Sequence, residues 1–304
     1  MRKQCFSMLL VCVLLLGTVS AQARMYARAA GPASLSPAEE AAVLAVGSVT
    51  KSAYLDVAFS ALEEGNPFLL RYNLLTGSQV RPRFTLGIPY FFGAQDERVF
   101  AKEPDYIVLP AWQNSEYYRS GTNYLYGFDC MGYVKWVWKE AAGEKLTTIM
   151  NLFSTVKRSL YNEKNPFTGT WQELAEQLRV GDLIALAEPG AHVVMFIGTL
   201  RMYGYDETQV PLLAPYLDYP LVIQCGVHPA FGERFQHLIE TGLQKYRSAS
   251  TTDGGVCVAL LGVEREAAEA LITRQDQESG VFVLPDSTWL TVVPMNRARY
   301  TIFR

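Results

Sequence analysis

Cys130 lies in Gly127-Phe128-Asp129-Cys130-Met131-Gly132-Tyr133, a setting that suits a nucleophile. Sulfur attacks as thiolate, and thiolate is favoured at a helix start, where backbone N–H groups lack helical partners and the dipole is positive. Tyr133, Val134, Val137, Trp138 and Ala141 recur at helical spacing, and Gly143 ends the run. The spacing predicts a helix over 130–142 with the thiol in its first turn. Asp129 is placed to cap that helix, and Gly132 lets another group approach closely. The competing reading is a small buried apolar thiol, as most cysteines outside disulfides are.

A thiol nucleophile needs a base to take its proton and return it to the leaving amine. The chain has three histidines, His192, His228 and His237. His192 opens the apolar run His192-Val193-Val194-Met195-Phe196-Ile197-Gly198, and a titratable residue at the head of such a strand is poor filler. His237 falls in a polar, amphipathic stretch and reads as surface. The base in turn needs an acceptor on its other ring nitrogen. Gln224 interrupts the apolar strand Leu221-Val222-Ile223-Gln224-Cys225 and is the first choice for that acceptor; His228, of the same parity, is the alternative. A polar strand-end residue bonded to backbone is the plain reading of Gln224.

The elements around these residues come as helices first and strands afterwards. Ser36-Pro37-Ala38-Glu39-Glu40 is a helix start. Helical sequence runs over 41–64 with a break near Gly47, then over 68–76, closed by Gly77. Further helices are expected over 147–160 and 171–178. Apolar, β-branched runs follow over 182–187, 192–199, 221–225, 256–263, 281–284, 289–293 and 300–303, with a helical stretch over 264–273. This order is an α+β pattern, and we expect an antiparallel sheet.

Composition narrows the function. The N-terminus has a short basic segment, an apolar run from Met8 to Gly17 and an Ala21-Gln22-Ala23 end, which describes a secretory signal peptide over 1–23. The run is short for a permanent span, so the mature chain is expected outside the cytoplasm and not integral to the membrane; an uncleaved anchor is the other reading. Residues 24–40 read as a flexible lead, 41–250 as the main domain and 251–304 as a C-terminal extension carrying more strands. The net charge of −3, with no Lys/Arg cluster, argues against nucleic acid as a partner. Beyond the signal lie Cys130, Cys225 and Cys257. Cys225 and Cys257 could form a disulfide in an exported protein. Cys225-x-x-His228 has metal-ligand spacing but no second close pair, so no metal and no cofactor is expected.

The chain resembles the NlpC/P60 superfamily of cell-wall cysteine peptidases over about residues 85–228. Asp129-Cys130-Met131-Gly132 is similar to its Asp-Cys-Ser-Gly stretch, and Gly181-Asp182-Leu183 to its Gly-Asp-Leu. His192-Val193 through Gly198 is similar to its histidine strand, and Pro89-Tyr90-Phe91-Phe92-Gly93-Ala94 to its Pro-Tyr-x-x-Gly-Gly. The resemblance implies a papain-like core and hydrolysis of a peptidoglycan stem-peptide amide, commonly the bond after D-glutamate. It implies Cys130, His192 and Gln224 as the catalytic set. It places Tyr90 and Asp129 at the substrate and oxyanion side, with the Cys130 N–H as an oxyanion donor. Met131 and Ala94 depart from the pattern. Two insertions, about 95–123 and 200–220, are expected to flank the cleft and reshape substrate choice. Two other functions fit the same residues: a catalytically silent binding module of the cell envelope, and a cysteine amidase or transferase on another substrate.

Overall fold

Ser36 starts the first helix by a capping box. Its hydroxyl accepts the Glu39 N–H, and the Glu39 carboxylate accepts the Ser36 N–H at 2.7 Å. Helix α1 (Pro37–Val46) therefore begins where the Ser36-Pro37 start signal predicts, and 37–40 belong to it rather than to the flexible lead expected over 24–40. Two reciprocal bonds and a proline at the first position outweigh the small-residue composition before them. Helix α2 (Ala53–Phe59) follows, then α3 (Pro67–Thr76), which Asn66 caps and Gly77 ends at φ 67°. The computed structural model describes residues 34–83, 87–88, 90, 107–108, 123–124, 127–143, 145–146, 159–162, 164–186, 192–226, 255–264, 266–268, 270–271, 282–284, 289–293 and 300–304. The expected signal peptide, His228, His237, most of 95–123 and all but the last two residues of the helix expected over 147–160 lie outside these residues.

Strands β1 (Ile107–Val108) and β2 (Asn123–Tyr124) pair with each other. Helix α4 (Cys130–Ala142) then follows, within the bounds its apolar spacing predicts. Strand β3 (Ser159–Tyr161) comes next, then α5 (Trp171–Gln177), β4 (Leu183–Leu186), β5 (His192–Gly198) and β6 (Leu221–Gly226). The chain ends in β7 (Gly255–Leu261), β8 (Phe282–Val283), β9 (Trp289–Val293) and β10 (Tyr300–Phe303).

The eight strands β3 to β10 form one sheet in the order β3-β10-β4-β5-β6-β7-β9-β8. Four of them come from 255–304, so this stretch is built into the sheet rather than laid against it. The sheet is mixed: β7 and β9 run parallel, where an antiparallel sheet was expected. Both strands are apolar runs, and such runs carry no mark of pairing direction. Ser159–Tyr161 pairs with β10 although helical sequence was expected to 160; a partner some 140 residues away decides it.

Strand alternation divides the core. Val193, Met195, Ile197, Ile223, Val258 and Leu260 face the α1–α4 layer, with Tyr133, Val134 and Val137 of α4 among their buried neighbours. On the other face Ile184, Val194, Phe196, Val222, Ala259 and Leu261 pack with Trp171 and Leu174 of α5. The segment 199–220 holds two short 3-10 turns, Arg201–Tyr203 and Pro211–Tyr216. Buried Arg71 of α3 fixes it by donating to the Tyr203 carbonyl at 3.0 Å and lying 3.7 Å over the Tyr205 ring. This segment joins the C-terminal end of β5 to the N-terminal end of β6. It therefore sits at the sheet edge opposite His192 and Gln224, a strand's length of about 20 Å away. The expectation that 200–220 flanks the cleft is corrected: antiparallel strands put consecutive connections at opposite ends.

Candidate active site

Asp129 is extended, at φ −81° and ψ −179°, and turns the chain into α4. Its carboxylate accepts the Gly132 N–H at 2.7 Å and is buried. Asp129 is thus the helix cap, as the sequence predicts. Cys130 follows as the first residue of the helix and keeps part of its surface exposed. The backbone amides of Val193, Met131 and Cys130 itself all favour negative charge on its sulfur. Burial works the other way and is the largest effect, with the Asp129 charge next, so the thiol is pushed up to about 11. The amides and the helix start favour the thiolate, while burial and the Asp129 charge push the thiol up against them.

The Val193 amide, one residue after His192 at the start of β5, is close enough to favour negative charge on the Cys130 sulfur. Alternation sets Val193 and Cys225 on the α4 face, and His192, Gln224 and Cys257 on the other. The β5–β6 ladder runs only from Gly198↔Leu221 to Met195↔Ile223. Beyond it, His192–Val194 and Gln224–Gly226 run on as strand residues without pairing to one another. The thiol reaches the sheet at this parting.

Gln224 crosses the same parting from the other side. It is fully buried, and its Oε1 lies 2.5 Å from Nε2 of His192. His192 is partly exposed and pairs with Leu186 of β4. The structure thus brings together His192 and Gln224, the first choice of partner in the sequence. His228, the alternative acceptor, lies outside the described residues. Tyr90 is 8% exposed and its backbone bridges Phe128, two residues before Cys130. Beneath that turn the Cys225 thiol donates to the Phe128 carbonyl at 3.1 Å.

The remaining thiols are now placed. Cys257 pairs across the ladder with Gln224, and Cys225 with Val256, so the two cysteines point to opposite faces. Neither a disulfide nor a shared metal can join them. Among the described residues, no group of three His, Cys, Asp or Glu is arranged to hold a metal, and no helix is long and apolar enough to cross a membrane. The sequence reading missed Thr291 and the role of Cys257. Gln224 Nε2 donates to Cys257 Sγ at 3.7 Å, and Cys257 Sγ lies 3.8 Å from Thr291 Oγ1. Only the β6–β7–β9 register reveals this line, and no local pattern encodes that register.

No family model, no curated protein and no solved structure matches this chain.

Proposed function

We propose that the chain is an exported cysteine peptidase that hydrolyses an amide bond in peptidoglycan stem peptides, of the D-glutamyl–diamino acid endopeptidase type. The carrying observation is the His192–Gln224 bond beside the parting where Cys130 meets the Val193 amide. Nε2 of His192 is engaged by an acceptor, which leaves Nδ1 as the basic nitrogen. The motif resemblance supplies the substrate class; the geometry is compatible with any amide that fits.

The Cys130 proton passes to His192 as sulfur bonds to the substrate carbonyl carbon. The carbonyl becomes an oxyanion, facing the Cys130 N–H at the helix start and the Tyr90 hydroxyl. The C–N bond then breaks, and the leaving amine takes the proton from His192. Water, deprotonated by His192, cleaves the thioester and releases the acid and the thiol. With burial holding the thiol up, its proton leaves for His192 as the bound substrate is attacked.

The test is digestion of purified peptidoglycan followed by mass spectrometry of the fragments. Wild-type protein should release stem-peptide fragments with new D-glutamyl termini. Cys130→Ala should release none and keep its fold by circular dichroism. Release by Cys130→Ala would sink the mechanism. A silent wild type beside active control enzymes would favour the binding module.

A further inference from the structure

Val258 has a backbone carbonyl that can only accept a hydrogen bond. Thr291 Oγ1 donates to it at 3.4 Å. A hydroxyl has one proton; given to the Val258 carbonyl, it leaves the contact between Thr291 Oγ1 and Cys257 Sγ, where either atom is able to donate, to the proton of the thiol. The Cys257 sulfur is then left as an acceptor, and Gln224 Nε2 donates to it. That fixes which way the Gln224 amide points, with Oε1 toward His192. Oε1 can only accept, so His192 carries its proton on Nε2. Gln224, Cys257 and Thr291 are all buried, at 0%, 6% and 3% exposure, so water does not compete for these bonds. The line runs across one face of four strands, β5, β6, β7 and β9.

We infer that Cys257 and Thr291 are positioning residues that set the His192 tautomer, with its proton on Nε2 and Nδ1 as the basic nitrogen. The inference rests on the proposed catalysis only for its consequence; the polarity of the line is independent of any substrate. Without the line, the amide of Gln224 could present either end to His192, and the base would be in the wrong tautomer for part of the time. Thr291→Val removes the one acceptor that the thiol proton has in this line. The thiol would then turn to Gln224, the amide would flip to offer Oε1 to it, and His192 would accept from Nε2 of Gln224 and carry its proton on Nδ1. Thr291→Ser keeps the hydroxyl and should keep the wild-type arrangement.

The experiment is nitrogen NMR of the histidine rings in the ¹⁵N-histidine-labelled full chain at a pH where His192 is neutral, with a His192→Gln sample to assign its signals. Wild type and Thr291→Ser should show His192 protonated on Nε2, and Thr291→Val should shift the population toward Nδ1. With the peptidoglycan substrate, Thr291→Val should lose about 10²-fold in kcat with KM little changed, and Thr291→Ser should recover it. A wild-type ring protonated on Nδ1 overturns the inference without any variant. So does a folded Thr291→Val protein whose ring stays protonated on Nε2. If the tautomers behave as stated while no variant and no wild type cleaves peptidoglycan, the positioning line stands and the proposed function fails.

Discussion

Cys130 carries two opposed effects in one side chain. The helix start contributes at most about 2 kcal/mol to its anion in a partly buried site. Burying an ion costs several kcal/mol, and the Asp129 charge adds to that cost. Burial wins, and the thiol sits up at about 11. Alkylation by iodoacetamide reports this directly, since only the thiolate reacts. Its rate at Cys130, followed by peptide mass spectrometry, should climb about tenfold per pH unit through pH 7–9 and bend near pH 11. A plateau reached by pH 7 would mean a preformed thiolate and would refute the neutral resting site. Cys130 and His192, the proposed nucleophile and base, stood out in the sequence because each belongs to a local pattern: a capped helix start, and a polar residue at the head of an apolar strand. Gln224 was legible because it interrupts an apolar strand. The direction of the thiol shift was not, because it depends on what the fold packs around the sulfur.

Helix α4 is the element that makes Asp129 matter twice. Its carboxylate accepts the Gly132 N–H, and its charge raises the neighbouring thiol. Two substitutions separate these effects. Asp129→Asn keeps an acceptor oxygen for Gly132 and removes the charge, so the alkylation curve should move to lower pH with stability nearly unchanged. Asp129→Ala removes both; the curve should move the same way, and urea denaturation should show a loss of about 1 kcal/mol. If Asp129→Asn leaves the curve in place, the charge does not reach the sulfur. The bounds of α4 were legible because capping and the Gly143 stop are local: Gly143 takes φ 71°, which its sequence allows without strain. The same reasoning failed at Ser159–Tyr161, where a strand partner from the end of the chain overrides local preference. It also failed for the direction of β9 beside β7, because that depends on how the chain crosses from Leu261 to Trp289 rather than on either strand's composition.

The sheet as a whole is closed by residues far apart in sequence. Strand β10 inserts between β3 and β4, and Tyr300 and Ile302 are buried in the core on the α5 face. Just past it Arg304 reaches Asp182, which is 3% exposed, through Nε at 3.1 Å and Nη2 at 2.7 Å; Nη2 also donates to the Gln177 carbonyl at 2.9 Å. Asp182 accepts the Arg179 N–H as well, so the Gly181-Asp182-Leu183 stretch is a clasp between α5, β4 and β10. The sequence marked this stretch only by its resemblance to a family motif, since nothing near Asp182 names a partner 122 positions away. The clasp should govern stability. Arg304→Ala leaves a buried carboxylate without its cation, a change that costs 3–5 kcal/mol or more in a fully buried pair. Arg304 is about a third exposed, so water partly replaces it, and a loss of about 1–3 kcal/mol is expected. Arg304→Lys cannot reproduce the two-nitrogen contact and should fall between. The double variant Arg304→Ala with Asp182→Asn should recover part of the loss, because the stranded charge is gone. Urea denaturation of the four proteins measures all of this, and an Arg304→Ala protein within ~0.5 kcal/mol of wild type would show that pairing of β10 with β3 and β4 holds the sheet closed without the clasp.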